Sequence, residues 1–152
     1  MQRGKNTKTN IKPKDLSKTK VALVVSEYND DITFPMRDGA VKELVSHGIK
    51  ESNITIVYAP GAFEIPYLSQ KLLKTKKYKG AIAIGCVIKG DTDHYYQISN
   101  ESTRGVMDVM LNLNLPITNA ILTVNNLEQA KIRSTGATNK GIEAAVALLK
   151  IL

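Results

Sequence analysis

Cysteine is nearly missing from this 152-residue chain. Cys86 stands alone, which excludes an intrachain disulfide and any zinc site that needs several thiolates from one chain. There is no tryptophan, and the only histidines are His47 and His94, so a His-rich metal site is not expected either. No run approaches the ~20 apolar residues that span a bilayer, and the first residues lack the apolar stretch of a signal peptide. The expectation is a cytoplasmic protein without membrane contact, so the N-x-S/T triplets at Asn53 and Asn100 carry no weight. Two nucleotide signatures are lacking as well. Without G-x-x-x-x-G-K-[ST], or G-x-G-x-x-G after the first apolar run, a P-loop enzyme and a dinucleotide-dependent dehydrogenase are disfavoured.

Acidic residues are scarce only in one place. The net charge of +7 and the pI near 9.5 suggest a nucleic-acid binder, but the surplus is local. Seven basic side chains between Arg3 and Lys20 face one acid, Asp15, while basic and acidic groups nearly balance from Val21 onward. Residues 1–19, rich in Lys, Thr and Asn without apolar period, read as a flexible basic tail. Residues 20–152 read as a single domain, long enough for its own core.

What is present from Lys20 onward is regular. Val21–Val25 is a continuous apolar run, as in a strand buried on both faces. Met36, Ala40, Val41, Leu44 and Val45 recur at helical spacing up to Gly48. Asn53–Tyr58 predicts a second strand, followed by a helix through Ile65, Leu68 and Leu72. Ala81–Ile88 predicts a third strand and Tyr95–Leu113 a third helix. Ile117–Val124 predicts a fourth strand, then a short helix over Glu128–Ile132 and a last one through Ile142, Ala145, Val146 and Leu149. Four alternations of strand and helix specify an α/β fold. It is a three-layer sandwich of the flavodoxin-like class, a four-stranded parallel sheet with helices on both faces.

In such a sheet, ligands bind beyond the carboxyl ends of the strands. Those ends carry Ser26–Asp31, Ala59–Glu64, Lys89–His94 and Asn125-Asn126, which brings an aromatic, a carboxylate and a histidine to one edge. Gly90-Asp91-Thr92 lies between a strand and a helix, where it reads as an N-cap turn or as a seat for an anion such as phosphate. His94 is then either a helix cap or a proton-transfer group. His47 is explained by its place at a helix C-terminus. Cys86 lies inside an apolar strand and reads as a buried, inert thiol. Arg133, Lys140 and the lysines from Lys71 to Lys79 read as solvated charges.

Several segments together resemble one family. Pro60-Gly61-Ala62-Phe63-Glu64-Ile65-Pro66, Gly85–Tyr95, Ala120–Val124 with Glu128-Gln129-Ala130, Tyr28-Asn29-x-x-Ile32-Thr33 and Asn139-Lys140-Gly141 are similar, in order and spacing, to the 6,7-dimethyl-8-ribityllumazine synthases. That resemblance implies condensation of 5-amino-6-ribitylaminouracil with 3,4-dihydroxy-2-butanone 4-phosphate, with loss of phosphate and water and without metal or organic cofactor. It implies that Tyr28 stacks on the pyrimidine, that Ala62, Phe63 and Glu64 position the ribityl chain, and that Cys86, Val87 and Ile88 offer backbone groups to the heterocycle. Asp91 and Thr92 would contact the phosphate, His94 would move protons, and Arg133 of an adjacent subunit would hold the phosphate, with Lys140 nearby. Asn119 stands where many members place a Phe against the ring from the neighbouring subunit, Tyr96 where an acid is common, and the Arg133–Lys140 loop is one residue short. Implied partners are the two substrates, further copies in a pentamer or a sixty-subunit shell, and riboflavin synthase. Asn119 also motivates an alternative, a non-catalytic assembly that binds ribityl-pyrimidines or flavins. The basic tail motivates another, polyanion binding.

Overall fold

Runs of β-branched residues suit a pleated, half-buried backbone, and four of them form strands: β1 (Val21–Ser26), β2 (Ile54–Ala59), β3 (Ala81–Ile88) and β4 (Ile117–Val124). In the computed structural model, which describes residues 10–152, they make one parallel sheet in the order β2-β1-β3-β4. Val21 pairs with Ile54, Ala22 with Ala81, and Ala81 with Ile117, so all strands begin at one edge and end at the other. Between and after them run α1 (Asp30–Ser46), α2 (Ile65–Leu73), α3 (His94–Leu113), α4 (Leu127–Ser134) and α5 (Lys140–Ile151). The expected α/β sandwich is the one observed, with element ends displaced by one or two residues.

Strand periodicity divides the core. Val21, Leu23, Val25, Ile82, Ile84 and Leu122 point to one face, where they pack with Met36 and Leu44 of α1 and with Leu148 and Leu149 of α5. Ala22, Val24, Ala81, Ala83 and Ile121 point to the other and meet Ile65 and Leu73 of α2 and Val106 and Val109 of α3. Each fully buried Leu or Ile contributes roughly 1.5–3 kcal/mol, so the two layers hold the sheet rigid enough to carry loops at fixed positions.

The Asn139-Lys140-Gly141 segment has a structural task. The Asn139 side chain accepts the Gly141 and Ile142 amide N–H groups at 2.8 and 3.3 Å, capping α5, and donates to the Pro35 carbonyl of α1 at 3.1 Å. A Cβ on Gly141 would lie 2.0 Å from the Met36 carbonyl oxygen, so only glycine lets the two helices meet there.

The domain begins earlier than residue 20. Leu16 is 7% exposed and belongs to the core on the α1–α5 side, the Asp15 carboxylate takes both the Ser17 amide and hydroxyl, and the Asn53 side chain donates to the Ser17 carbonyl. One leucine in a lysine-rich stretch makes no period, so its burial leaves no sequence signal. Residues 1–9 of the expected tail lie outside the described residues. No helix of the described residues is long and apolar enough to cross a membrane.

Candidate functional site

Three loops at the carboxyl ends of the strands enclose a cleft of about 420 Å³. The β1–α1 loop supplies Tyr28 and Asn29, and the β2–α2 loop supplies Gly61 to Glu64. The third wall is the end of β3 from Cys86 to Ile88, with Gly90, Thr92 and His94 beyond it, and Tyr95 and Ile98 from α3. The cleft therefore gathers nine of the expected residues: Tyr28, Ala62, Phe63, Glu64, Cys86, Val87, Ile88, Thr92 and His94.

Local geometry prepares several of them. The Ser26 hydroxyl donates to the Tyr28 carbonyl at 3.2 Å, and the Thr33 hydroxyl donates to the Ser26 carbonyl at 2.6 Å, which ties the first loop to its helix. Tyr28 and Phe63 present largely exposed rings, 71% and 57%, as planar apolar surfaces at the mouth. Glu64 accepts the Gly61 amide N–H through Oε2 at 3.0 Å, which orients its carboxylate and leaves Oε1 for a ligand hydroxyl.

The floor is made of backbone. Cys86 is 3% exposed, and burial, with Asp31 adding, pushes its thiol up to about 12, so the sulfur stays protonated and unreactive. The structure contains this thiol buried, as expected. The Cys86 carbonyl accepts the Asn29 Nδ2–H at 2.9 Å. Beyond β3, Asp93 starts α3 without a side-chain cap, and the Thr92 hydroxyl accepts the His94 amide N–H at a long 3.4 Å. Uncommitted N–H groups at this helix start favour an anion. Asp91 is exposed and lies off the cleft lining.

The remaining expected residues are elsewhere. Asn119, Arg133 and Lys140 line a separate depression along the open edge of β4, between that strand and helices α4 and α5. The Asn119 side chain accepts the Ile121 amide N–H at 2.9 Å, Arg133 donates to the Gln129 carbonyl at 3.0 Å, and Lys140 pairs with Glu143 at 2.5 Å. Among the described residues, one protomer does not bring these cations to the cleft that holds His94.

Asn29 is one of five cleft residues to which sequence reasoning assigned no individual role, the others being Gly61, Gly90, Tyr95 and Ile98. Asn29 adopts left-handed backbone angles, φ 60° and ψ 48°, its carbonyl receives the Ile32 and Thr33 amides, and its side chain reaches β3. An Asn just before Asp30-Asp31 at a helix start is the available signal, since Asn tolerates this conformation better than most residues.

Known proteins are similar to this chain over most of its length. The family model described as 6,7-dimethyl-8-ribityllumazine synthase matches residues 18–152. A protein of that name from Leuconostoc mesenteroides is 42% identical over 139 residues, covering 91% of this chain and 89% of its own. One from Gemmatimonas aurantiaca is 38% identical over 134 residues, covering 88% and 82%.

Proposed function

Because the chain belongs to the 6,7-dimethyl-8-ribityllumazine synthase family, we propose that it is a transferase of riboflavin biosynthesis. It condenses 5-amino-6-ribitylaminouracil with 3,4-dihydroxy-2-butanone 4-phosphate, releasing phosphate and water. The observation that carries this reading is the cleft, where exposed aromatic rings, an oriented carboxylate, a strand end of backbone groups and a histidine converge.

Each part has a task. Tyr28 stacks on the pyrimidine, Val87 and Ile88 offer main-chain groups to its edge, and Ala62, Phe63 and Glu64 hold the ribityl chain, with Glu64 accepting from its hydroxyls. The Cys86 contribution is main-chain as well, through a carbonyl already aligned by Asn29. Thr92 and the first amides of α3 receive the phosphate, and Asp91 stands at the rim of that turn. Joining the amine to the ketone expels water, and losing phosphate requires a proton to move. His94 carries those protons, since an imidazole exchanges them near neutral pH, a role worth roughly 10²–10⁴ in rate.

The phosphate also calls for a cation, and Arg133 of a neighbouring copy supplies it as a fork of charged donors, with Asn119 and Lys140 of the same copy beside the ring and the phosphate. Exposed Tyr67, Met107 and Leu111 on α2 and α3 support burial against further copies. The assembly is a pentamer, and the lack of extra residues between α4 and α5 favours the shell of twelve. It works in the cytoplasm and passes its product to riboflavin synthase.

Purified protein given both substrates is expected to form the lumazine chromophore, followed by absorbance and fluorescence. Folded protein that binds a ribitylated pyrimidine and never turns over would select the non-catalytic assembly instead.

A further inference from the structure

The lysines that the synthase reaction does not use come together at the opposite end of the sheet. The segment before β1 carries Lys12, Lys14, Lys18 and Lys20, and the turn before β2 carries Lys50. The connection from α2 to β3 carries Lys74, Lys76, Lys77 and Lys79, and the last turn of α5 carries Lys150. These clusters are distant in sequence and adjacent in space. The Lys79 amide donates to the Lys20 carbonyl at 2.8 Å, and a depression lined by Leu16, Thr19, Lys79, Pro116, Ile151 and Leu152 joins the three segments. A second cleft, of about 450 Å³, has Asn10, Lys12, Lys14, Leu149 and Lys150 as its walls.

All ten lysines are exposed, and among the described residues no carboxylate lies within ion-pair distance of any of them. Among the described side chains, the carboxylates at this end are Asp15, which Ser17 engages and Lys50 attracts, Glu51, and Glu43 in the last turn of α1 beside His47. Four helices, α1, α2, α3 and α5, end here, and their C-termini supply about half a negative charge each. That offsets roughly two of a surplus of about seven, so helix-end solvation alone does not account for the face. The edge that bears the substrate cleft has the reverse balance, with Glu27, Asp30, Asp31, Glu64, Asp91 and Asp93 around a single lysine, Lys89.

The residue types narrow the partner. Lysines act as point charges that suit a row of phosphates, and among the described residues this face has no arginine fork for reading base edges. Its one aromatic, Tyr78, is half-buried with its hydroxyl donated to Thr55 Oγ1 at 3.0 Å, so no ring is offered for stacking on single-stranded bases. Ile151 is the exposed apolar side chain beside the two clefts, too little to enter a lipid layer. We propose that this end of the sheet, where Lys18 and Lys20 meet Lys74–Lys79 and Lys150, binds the phosphate backbone of a nucleic-acid duplex without sequence preference. Copies of the face in an assembly act together, so weak single contacts add as avidity. The site is remote from the substrate cleft and independent of turnover.

The test is fluorescence anisotropy of a labelled 24-base-pair RNA duplex of arbitrary sequence, titrated with the full chain between 50 and 200 mM salt. Binding is expected to weaken by roughly 10³-fold over that range, as for about six phosphate contacts. The triple variant Lys74→Glu, Lys77→Glu, Lys79→Glu is expected to bind at least tenfold more weakly, with a shallower salt slope and unchanged lumazine formation. If it does not fold, the corresponding Lys→Gln triple is expected to show the same loss at smaller size. A chain lacking residues 2–9 is expected to keep most of the affinity. The proposal is overturned by no binding at 50 mM salt, by undiminished binding in the folded triple variant, or by loss of binding on removal of residues 2–9 alone. Binding to phosphatidylserine vesicles but not to the duplex overturns it too.

Discussion

The cleft at the ends of β1, β2 and β3 and the depression along β4 differ in what one chain completes. The cleft has walls, floor and mouth, with its loops tied down by Ser26, Thr33 and Asn29. The β4 depression has the cations, Arg133 and Lys140, on an open strand edge, where Arg133 bonds to the Gln129 carbonyl and Lys140 to Glu143, each on its own helix. An anionic substrate needs both kinds of surface, and one protomer keeps them apart. The proposed shared site would have one copy hold the heterocycle and the next supply the phosphate's cation, a head-to-tail arrangement of the kind that can close into a ring.

The strongest way to break this comparison is to disable each half separately. His94→Ala is expected to lower kcat by about 10²–10⁴ with little change in substrate binding. Arg133→Ala is expected to raise KM for the phosphorylated substrate, since a charge-assisted hydrogen bond of about 1.5–3 kcal/mol is lost, and to leave binding of the ribitylated pyrimidine nearly intact. Unfolding and reassembling the two impaired variants together should then restore about a quarter of the sites to parent-like turnover at low concentrations of the phosphorylated substrate, because a ring unites an intact cleft with an intact neighbour. Steady-state kinetics on the mixture decides this. No recovery from well-formed mixed assemblies would put both residues in the same site of one chain.

A smaller effect sharpens the account of the cleft itself. Asn29→Ala removes the bond to the Cys86 carbonyl and leaves a residue that tolerates left-handed backbone less well than Asn, which should cost about 1–3 kcal/mol in chemical unfolding. Asn29→Gly relieves the backbone and still lacks the bond, so it should recover part of that stability. If the bond aligns the floor, the glycine variant should still show a raised KM for the pyrimidine. Equal KM values in both variants and the parent would make Asn29 a fold residue only.

Reading from sequence succeeds where chemistry follows local order. Val21–Val25, Ala81–Ile88 and Ile117–Val124 announce strands by composition, and a parallel sheet must then carry Tyr28, Phe63, Glu64 and His94 to one edge. It falls short where a position matters through a distant contact. Leu16 enters the core from a lysine-rich stretch, Asn29 acts through a peptide 57 residues away, and Lys20 meets Lys79 only because β1 and β3 are neighbours. The separation of Arg133 from His94 within one chain also depends on β4 being an edge strand, and there the family resemblance, with its Arg133 from an adjacent subunit, supplies an expectation that local order cannot.

The smallest expected effect concerns Cys86, which lines the cleft and for which the proposed function uses only the main chain. Its thiol is raised from the ordinary value near 9 to about 12, chiefly by burial. The folded state thus holds its proton more tightly than the unfolded chain does. The stability this contributes is complete below about pH 9 and is lost as pH rises toward 12, because the unfolded thiol ionises first. Cys86→Ala should cost roughly 1 kcal/mol at pH 7.5 through lost packing and leave kcat unchanged. Between pH 9 and 11 its urea midpoint should fall less steeply than that of the parent chain. Loss of turnover in a folded Cys86→Ala protein would mean that the sulfur itself reaches the substrate, and the cleft would then work by side chain where its geometry supports backbone.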